Sequence, residues 1–210
     1  MYDGHHTELS MRLRITFSKD NWLIYSSHLD LMRVWERALR RAGLPLAYSG
    51  GYNPRPKLQL ARALPLGHVG EEEILDVWLE EPTPVEDIPT ETVPVLPQGL
   101  AIKQVCQVDS KAPAMQTQVV GTVYRVTVEW DEKIEAVEGR VERALSAGKL
   151  IHQRRGKRYN LRPLIEKLRV VEATGSRATL RMQLSARPGA TGRPEAVVDV
   201  LGMGAAFARY

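Results

Sequence analysis

Aromatic and basic side chains are combined with turn-forming residues in the stretch GGYNPRPK, residues 50–57. Its glycines permit positive φ angles and its prolines hold the preceding residues extended, which predicts a stiff loop with outward-pointing side chains. An aromatic ring beside cations suits single-stranded RNA, because bases stack on the ring while phosphates bind the cations. The candidate RNA-binding residues of this loop are Tyr52, Asn53, Arg55 and Lys57. The alternative is a proline-rich hairpin whose basic residues are only solvated.

A denser basic cluster, KLIHQRRGKRYNLRPLIEKLR, occupies residues 149–169 and has eight Lys and Arg against one Glu. Lys and Arg supply most of the non-specific affinity for nucleic acids through phosphate contacts, and an interleaved aromatic residue can stack on a base. The candidate RNA-binding residues here are Arg154, Arg155, Lys157, Arg158 and Tyr159. A docking surface for an acidic partner protein is the competing interpretation, because complementary charge serves protein association equally well.

A helix with one cationic face is predicted immediately before the first loop. Ser27 followed three residues later by Asp30 is a capping-box pattern, and the helix should run to about Ala42 and end at Gly43. At ~100° per residue its apolar residues fall on one side and three arginines fall on the other. These arginines, Arg33, Arg37 and Arg40, are further candidate RNA contacts.

The sequence offers one candidate catalytic residue and no metal or cofactor motif. His28 lies in the first helical turn, where the helix dipole favours a neutral imidazole that can act as a general base, although a histidine there is also an ordinary helix-start residue. No second carboxylate lies at metal-ligand spacing from Asp30, and neither a GK[ST] nor a GxGxxG sequence is present. Because Cys106 is the only cysteine, a four-cysteine zinc site and an iron–sulfur cluster are excluded. We expect no metal and no cofactor.

The elements that position these residues predict a ferredoxin-like domain over residues 1–108. RLRITFS alternates as a half-buried strand, with Arg12 and Arg14 on its polar side, and EEILDVWLEE is a strand buried from both sides. Residues 82–99 contain five prolines and should form an irregular connection or a short helix before the closing strand LAIKQVCQV. The order strand, helix, two strands, connection, strand predicts an antiparallel sheet with helices on one face.

A second, basic α+β domain is predicted over residues 119–210, after a linker at residues 109–118. GTVYRVTVEW should be a strand, DEKIEAVEGRVERALSAG a helix, and LRVVEA and RATLRMQLS two strands joined by TGS; a last helix should begin at Pro194. NLRPLIEK fits either a bent strand or a helical turn. The fold class is therefore α+β, with two ferredoxin-like units in tandem.

Composition bounds the class of protein. Residues 1–110 have 11 Lys and Arg against 15 Asp and Glu, net −4, whereas residues 111–210 have 18 against 10, net +8. The first eleven residues lack the apolar region of a signal peptide, and no run approaches the ~18 apolar residues that a membrane span requires. With a single cysteine, these features lead us to expect a soluble cytoplasmic protein with no membrane association.

Four motifs together resemble the radical-SAM-linked protein family of unknown function. The matching stretches are SHLD (27–30), RALRRAGLP (37–45), GYNPRPK (51–57) and LPLG (64–67). Members of that family are encoded beside, or fused to, radical S-adenosylmethionine proteins, so the resemblance implies such a protein as partner. A radical SAM enzyme holds its cluster through three closely spaced cysteines, whereas this chain has one, so it is not the radical enzyme itself. It would be an accessory component, a substrate-presenting module or a neighbour with separate chemistry.

Three functional hypotheses follow. The first is a non-catalytic RNA-binding accessory protein that acts with a radical SAM enzyme in RNA modification or processing. The second is a metal-independent RNA-processing enzyme, with His28 as base, Tyr52 in a positioning role, and Arg55 and Lys57 stabilising phosphate charge. The third is a pure protein adaptor for the radical SAM partner, which needs no nucleic acid.

Overall fold

The chain divides into two compact units, with the boundary between Gln118 and Val119. The computed structural model describes residues 11–129, 134–204 and 208–209. Each unit has its own hydrophobic core. Within the described residues, no helix is long and apolar enough to cross a membrane.

The first unit has the strand order of a ferredoxin-like fold. Its sheet runs β2-β3-β1-β4, and every pair of neighbouring strands is antiparallel. The elements are β1 (Met11–Lys19), α1 (His28–Arg41), β2 (Leu58–Leu60), β3 (Gly70–Leu79), α2 (Asp87–Thr92), β4 (Leu100–Val108) and α3 (Met115–Gln118), with short 3-10 helices at Asn21–Tyr25 and Val93–Val95. The predicted α+β fold class is confirmed.

Apolar alternation and helix capping explain the packing of this unit. Alternate residues of β1 are fully buried beneath α1 and α2, and Phe17 meets Trp35 edge to face at 4.9 Å between ring centroids. The predicted capping box is present, since the Asp30 amide donates to Ser27 Oγ at 3.2 Å and the Ser27 amide donates to Asp30 Oδ2 at 3.3 Å. Gly43 has φ +72°, the left-handed geometry that ends a helix.

Residues 109–118, which the sequence assigns to a linker, pack on the opposite face of this sheet at β1 and β2. Arg12 Nη1 donates to the carbonyl of Ala112 at 2.7 Å, and Gln59 Nε2 donates to Gln116 Oε1 at 2.8 Å. Met115 is buried. The structure therefore places this segment in the first unit, because it satisfies and shields polar groups of the sheet.

The second unit has the same strand order with one insertion. β9 lies between β8 and β5, β11 pairs with the far edge of β5, and all these pairs are antiparallel. Its elements are β5 (Gly121–Glu129), α4 (Ile134–Ser146), β6 (Ile151–Arg154), β7 (Lys157–Asn160), β8 (Ile165–Thr174), β9 (Arg177–Arg187), β10 (Ala190–Thr191), α5 (Pro194–Val200) and β11 (Ala208–Arg209). The insertion is the separate two-stranded hairpin β6–β7, between α4 and β8.

Two features of the second unit settle points that the sequence left open. NLRPLIEK contains both predicted alternatives, because a 3-10 helix at Arg162–Leu164 leads directly into β8. The helix predicted from Pro194 is present, with proline in its first turn. α4 and α5 pack on the same face of the sheet, where Val141 and Val197 join Val126 and Leu180 in the core.

Candidate nucleic-acid interface

The connection between α1 and β2 folds as a small hairpin held against the edge of the first sheet. The Ala47 amide donates to the carbonyl of Trp78 at 2.8 Å, and the Lys57 amide donates to the carbonyl of Ala47 at 2.7 Å. Nearer the tip, the Ser49 amide donates to the carbonyl of Arg55 at 2.8 Å. Hydrogen bonds at both ends therefore fix the backbone that carries the GGYNPRPK residues.

The tip of this hairpin, which we call the YNPRP loop (residues 49–57), presents its side chains to solvent. Tyr52 is 99% exposed, and it follows Gly51, whose φ of +113° strongly favours glycine. Asn53, Arg55 and Lys57 are exposed as well. Neither of the two cations has an ion-pair partner within the described part of the chain. The loop therefore offers one aromatic face and two free cations.

Arg40 is the helix arginine that reaches the hairpin. Its guanidinium carbon lies 5.6 Å from the ring centroid of Tyr48, a cation–π contact, and Tyr48 pairs with Pro56 across the hairpin. Arg40 also forms an ion pair with Glu36, at 3.1 Å. Helix and hairpin are thus in contact at the carboxyl end of α1.

The other two arginines of α1 lie further from the loop. Arg33 is seven residues before Arg40, about 10 Å along the helix axis, and pairs with Asp30 at 3.3 Å. Arg37 is exposed and has no ion-pair partner among the described residues. The predicted arginine face exists, but within the described residues a single arginine of the three makes a cation–π contact with the hairpin, through Tyr48.

His28 is separated from the loop by the length of α1. The helix has 14 residues, which places its first turn about 20 Å from the end where the loop begins. Its Nδ1 atom is buried and has no hydrogen-bond partner within the described residues. Among the described residues, no hydrogen bond or ion pair joins the His28 side chain to Tyr52, Arg55 or Lys57, with which the enzyme hypothesis combines it.

Two neighbouring ionisable residues, buried Lys19 and half-buried Glu73, were not anticipated from the sequence. Lys19 is 1% exposed and lies opposite Gly70 in the strand register, while the Glu73 side chain folds over Gly70. Burial lowers the pKa of Lys19 and raises the pKa of Glu73, and the attraction between the two charges opposes both shifts. Nothing in the local sequence marks Lys19 as buried.

The second basic cluster forms the β6–β7 hairpin. Arg154 pairs with Lys157 at its end, and the two residues between them both have positive φ, +48° at Arg155 and +78° at Gly156. This is the geometry of a two-residue type I′ turn. The side chains of Arg154, Arg155, Lys157 and Arg158 are all exposed and make no ion pair with any described residue.

The end of this hairpin opposite its turn packs against the rest of the second unit. Tyr159 is half-buried against the second core, and its ring centroid lies 5.5 Å from that of His152. His152 Nε2 lies 3.2 Å from Asp199 Oδ2 on α5. Arg162, also in the basic cluster, donates to the carbonyl of Leu145 at 3.0 Å. Tyr159 therefore anchors the hairpin and offers less open ring surface than Tyr52.

Other site chemistries find little support among the described residues. No group of three His, Cys, Asp or Glu side chains there is placed to hold a metal ion. Cys106 is a free, half-buried thiol on β4. The two basic segments occupy the same position in their units. Each lies between the first helix of its unit and the second strand of its sheet.

Comparison with known proteins gives a family and remote structural likenesses. A bacterial family described as "Uncharacterized protein conserved in bacteria (DUF2344)" matches residues 12–194. No curated protein matches the sequence. A crystal structure described as a candidate glycine cleavage system transcriptional repressor is similar with a TM-score of 0.28 and 15% identity, over 87% of this chain and 84% of that chain. So low a score carries nothing about function, and the ferredoxin-like assignment rests on strand order.

Proposed function

We propose that this chain, which belongs to the DUF2344 family of uncharacterised bacterial proteins, is a non-catalytic, cytoplasmic accessory protein that binds single-stranded RNA. One observation carries the proposal. At the same point of the fold, each unit extends a short hairpin whose exposed cations have no ion-pair partner among the described residues. Unpaired Lys and Arg held on a fixed backbone are suited to phosphate contacts.

The two hairpins supply different parts of the interaction. The YNPRP loop offers a fully exposed aromatic ring beside Arg55 and Lys57, which suits a stacked base and its flanking phosphates. The β6–β7 hairpin offers four cations at its tip, whereas its tyrosine, Tyr159, packs against the core of the second unit. We therefore assign base stacking to the first unit and most of the electrostatic affinity to the second.

The finer proposal concerns the partner. The motifs that resemble the radical-SAM-linked family favour a radical SAM protein as the enzyme that this chain assists, in RNA modification or processing. We assign the docking surface for this partner to the first unit, where large apolar side chains are exposed on neighbouring segments. They are Trp22 (68% exposed), Tyr25 (73%), Leu29 (65%) and Leu66 (63%). Surface apolar groups of this size are typical of protein interaction sites.

The test replaces the four tip cations of the β6–β7 hairpin (Arg154, Arg155, Lys157 and Arg158) by glutamine together. Binding of a fluorescently labelled oligo(U) is measured by anisotropy over a series of KCl concentrations. The log–log salt slope should become shallower by roughly 0.7 for each phosphate of the single strand that is no longer bound, so by about 3 for all four cations. The control variant carries Lys103→Gln, Lys111→Gln and Arg143→Gln, which remove exposed cations elsewhere, and it should keep the wild-type slope.

A pure protein adaptor is the second candidate function, and the exposed apolar residues of the first unit favour it. If the wild-type protein shows no salt-dependent binding of oligo(U), the RNA-binding proposal is wrong and the adaptor function remains. If the wild type binds oligo(U) and the hairpin variant has an unchanged salt slope, the β6–β7 hairpin is not part of the RNA-binding surface.

A further inference from the structure

The second sheet carries a row of three arginines on the face turned away from its helices. Arg181 on β9 lies directly opposite Arg125 on β5 and directly opposite Arg169 on β8. Their strand neighbours Val126, Leu168 and Leu180 belong to the buried core, so the arginines project to the other side. All three are exposed.

The row has no neutralising carboxylate among the described residues. Two ion pairs lie close by in the sheet, but each uses a different arginine: Arg177 pairs with Glu129 at 3.1 Å and Arg187 with Glu166 at 2.9 Å. Glu172 lies opposite Thr179, beyond a bulge, and makes no ion pair with any described residue. Lys167, which is exposed opposite Gln183 on the same face, adds a fourth cation.

Such a row lowers the stability of the sheet. Neighbouring strands lie about 4.8 Å apart, so three guanidinium groups follow one another across three strands, and like charges placed directly opposite are destabilising. At the matching pair of strands in the first unit, the charge of the arginine is neutralised. Arg14 on β1 lies opposite Asp76 on β3 and donates to it at 2.9 Å. An unrelieved row in the second unit indicates an anionic ligand.

We propose that Arg125, Arg169 and Arg181, with Lys167 beside them, form a second RNA-binding surface that contacts the phosphates of a single strand. The inference rests on the proposed RNA-binding function and extends it to a new face. Each guanidinium group can donate two hydrogen bonds to the oxygens of one phosphate, which suits the arginine row to an RNA backbone that crosses the β-strands. The outward residues of β5, β8 and β9 include no aromatic side chain, so this face should bind without base preference.

The test uses the full chain with Arg125→Gln, Arg169→Gln and Arg181→Gln combined. In the KCl series with labelled oligo(U), the salt slope should become shallower by about 2, roughly 0.7 for each of three phosphates. The matched control is the variant with Lys103, Lys111 and Arg143 changed to glutamine, which removes the same charge from exposed positions outside this face and the hairpins. The control should keep the wild-type slope.

A stability measurement separates ligand binding from a structural role. Removing like charges that face one another should raise the thermal midpoint at low salt, and the gain should disappear at high salt, where the repulsion is screened. Arg181→Glu is the sharper variant, because a central carboxylate would pair with both flanking arginines. It should raise the midpoint further and weaken oligo(U) binding. A fall in the midpoint would show that the row stabilises the fold, which would overturn the inference.

The outcomes distinguish this surface from the function it extends. If wild-type protein binds oligo(U) and the hairpin variant has a shallower slope while the triple-arginine variant does not, the proposed function stands and the sheet face is a protein surface or plain solvated charge. If the wild type does not bind oligo(U), both fail together. A shallower slope in the triple-arginine variant but not in the control supports the sheet surface.

Discussion

Tyr52 shows most directly how local sequence specifies an exposed group. Its side chain is 99% exposed, yet the backbone on both sides is held by hydrogen bonds between residues 47 and 57. A ring in this position contributes no burial to the fold, so its removal should leave stability unchanged. Turn chemistry was sufficient to predict the exposure, because the glycine and proline geometry that directs Tyr52 outward is fixed within a few residues.

We predict that Tyr52→Ala weakens binding of single-stranded RNA by about 1–3 kcal/mol, the contribution of one stacked base. Tyr52→Phe should bind nearly as well as wild type, because the ring is retained. Fluorescence anisotropy with labelled oligo(U) gives both affinities, and thermal denaturation provides the control, since neither change should shift the midpoint. Equal weakening in both variants would mean that the hydroxyl, not the ring, makes the contact.

Arg12 shows what single residues do not reveal in sequence. Alternation placed it on the polar side of a half-buried strand, but it is 1% exposed. Asp76 accepts a hydrogen bond from Arg12 Nε at 3.0 Å, Trp78 stacks on the guanidinium at 4.8 Å, and Ala112 accepts from it. These partners come from distant parts of the chain, so the burial of Arg12 depends on tertiary structure that no local pattern encodes.

At the scale of elements, caps and breakers made α1 and α5 predictable, whereas the register between strands was not. The β6–β7 hairpin was missed because its turn uses Arg155 where Asn or Asp would give a recognisable type I′ signal. The arginine row was missed for a related reason. Arg125, Arg169 and Arg181 each sit at an outward position of an ordinary strand, and only the register brings them together.

The turn of the β6–β7 hairpin yields a prediction that separates conformation from charge. Arg155 has φ +48°, a left-handed conformation that costs an ordinary L-residue roughly 1–2 kcal/mol and asparagine less. Arg155→Asn should therefore raise the free energy of unfolding by up to about 1 kcal/mol and reduce the RNA salt slope by roughly 0.7. Arg155→Gln is the control: it should reduce the salt slope equally, but its free energy of unfolding, measured in urea, should not rise. Equal stabilities of the two variants would show that the turn is unstrained.

At the scale of the whole molecule, the chain is two ferredoxin-like units with separate cores and unequal charge. The sequence was sufficient for this division, because strand and helix order and the excess of basic residues after residue 110 are both visible in it. The correspondence between the two hairpins was not visible. It depends on strand order within each sheet, which places both basic segments between a first helix and a second strand.

The separate cores make the consequence of one buried charge predictable for the entire chain. Asp76 is fully buried and binds Arg12 and Arg14, so Asp76→Ala leaves a buried guanidinium unpaired and should destabilise the first unit by about 3–5 kcal/mol. Urea unfolding followed by tryptophan fluorescence should shift strongly, because three of the four tryptophans lie in the first unit. Far-UV circular dichroism should retain a second transition at the wild-type urea concentration, from the second unit.

Two comparisons complete this prediction. Arg14→Gln should cost less than Asp76→Ala, because Arg14 is 23% exposed and its removal leaves the Arg12–Asp76 pair intact. Between the two urea transitions of Asp76→Ala, the folded second unit should still bind oligo(U) through the β6–β7 hairpin, with a salt slope reduced by the contribution of the first unit alone. A single transition in which fluorescence and circular dichroism move together would show instead that the units unfold as one cooperative body, despite their separate cores.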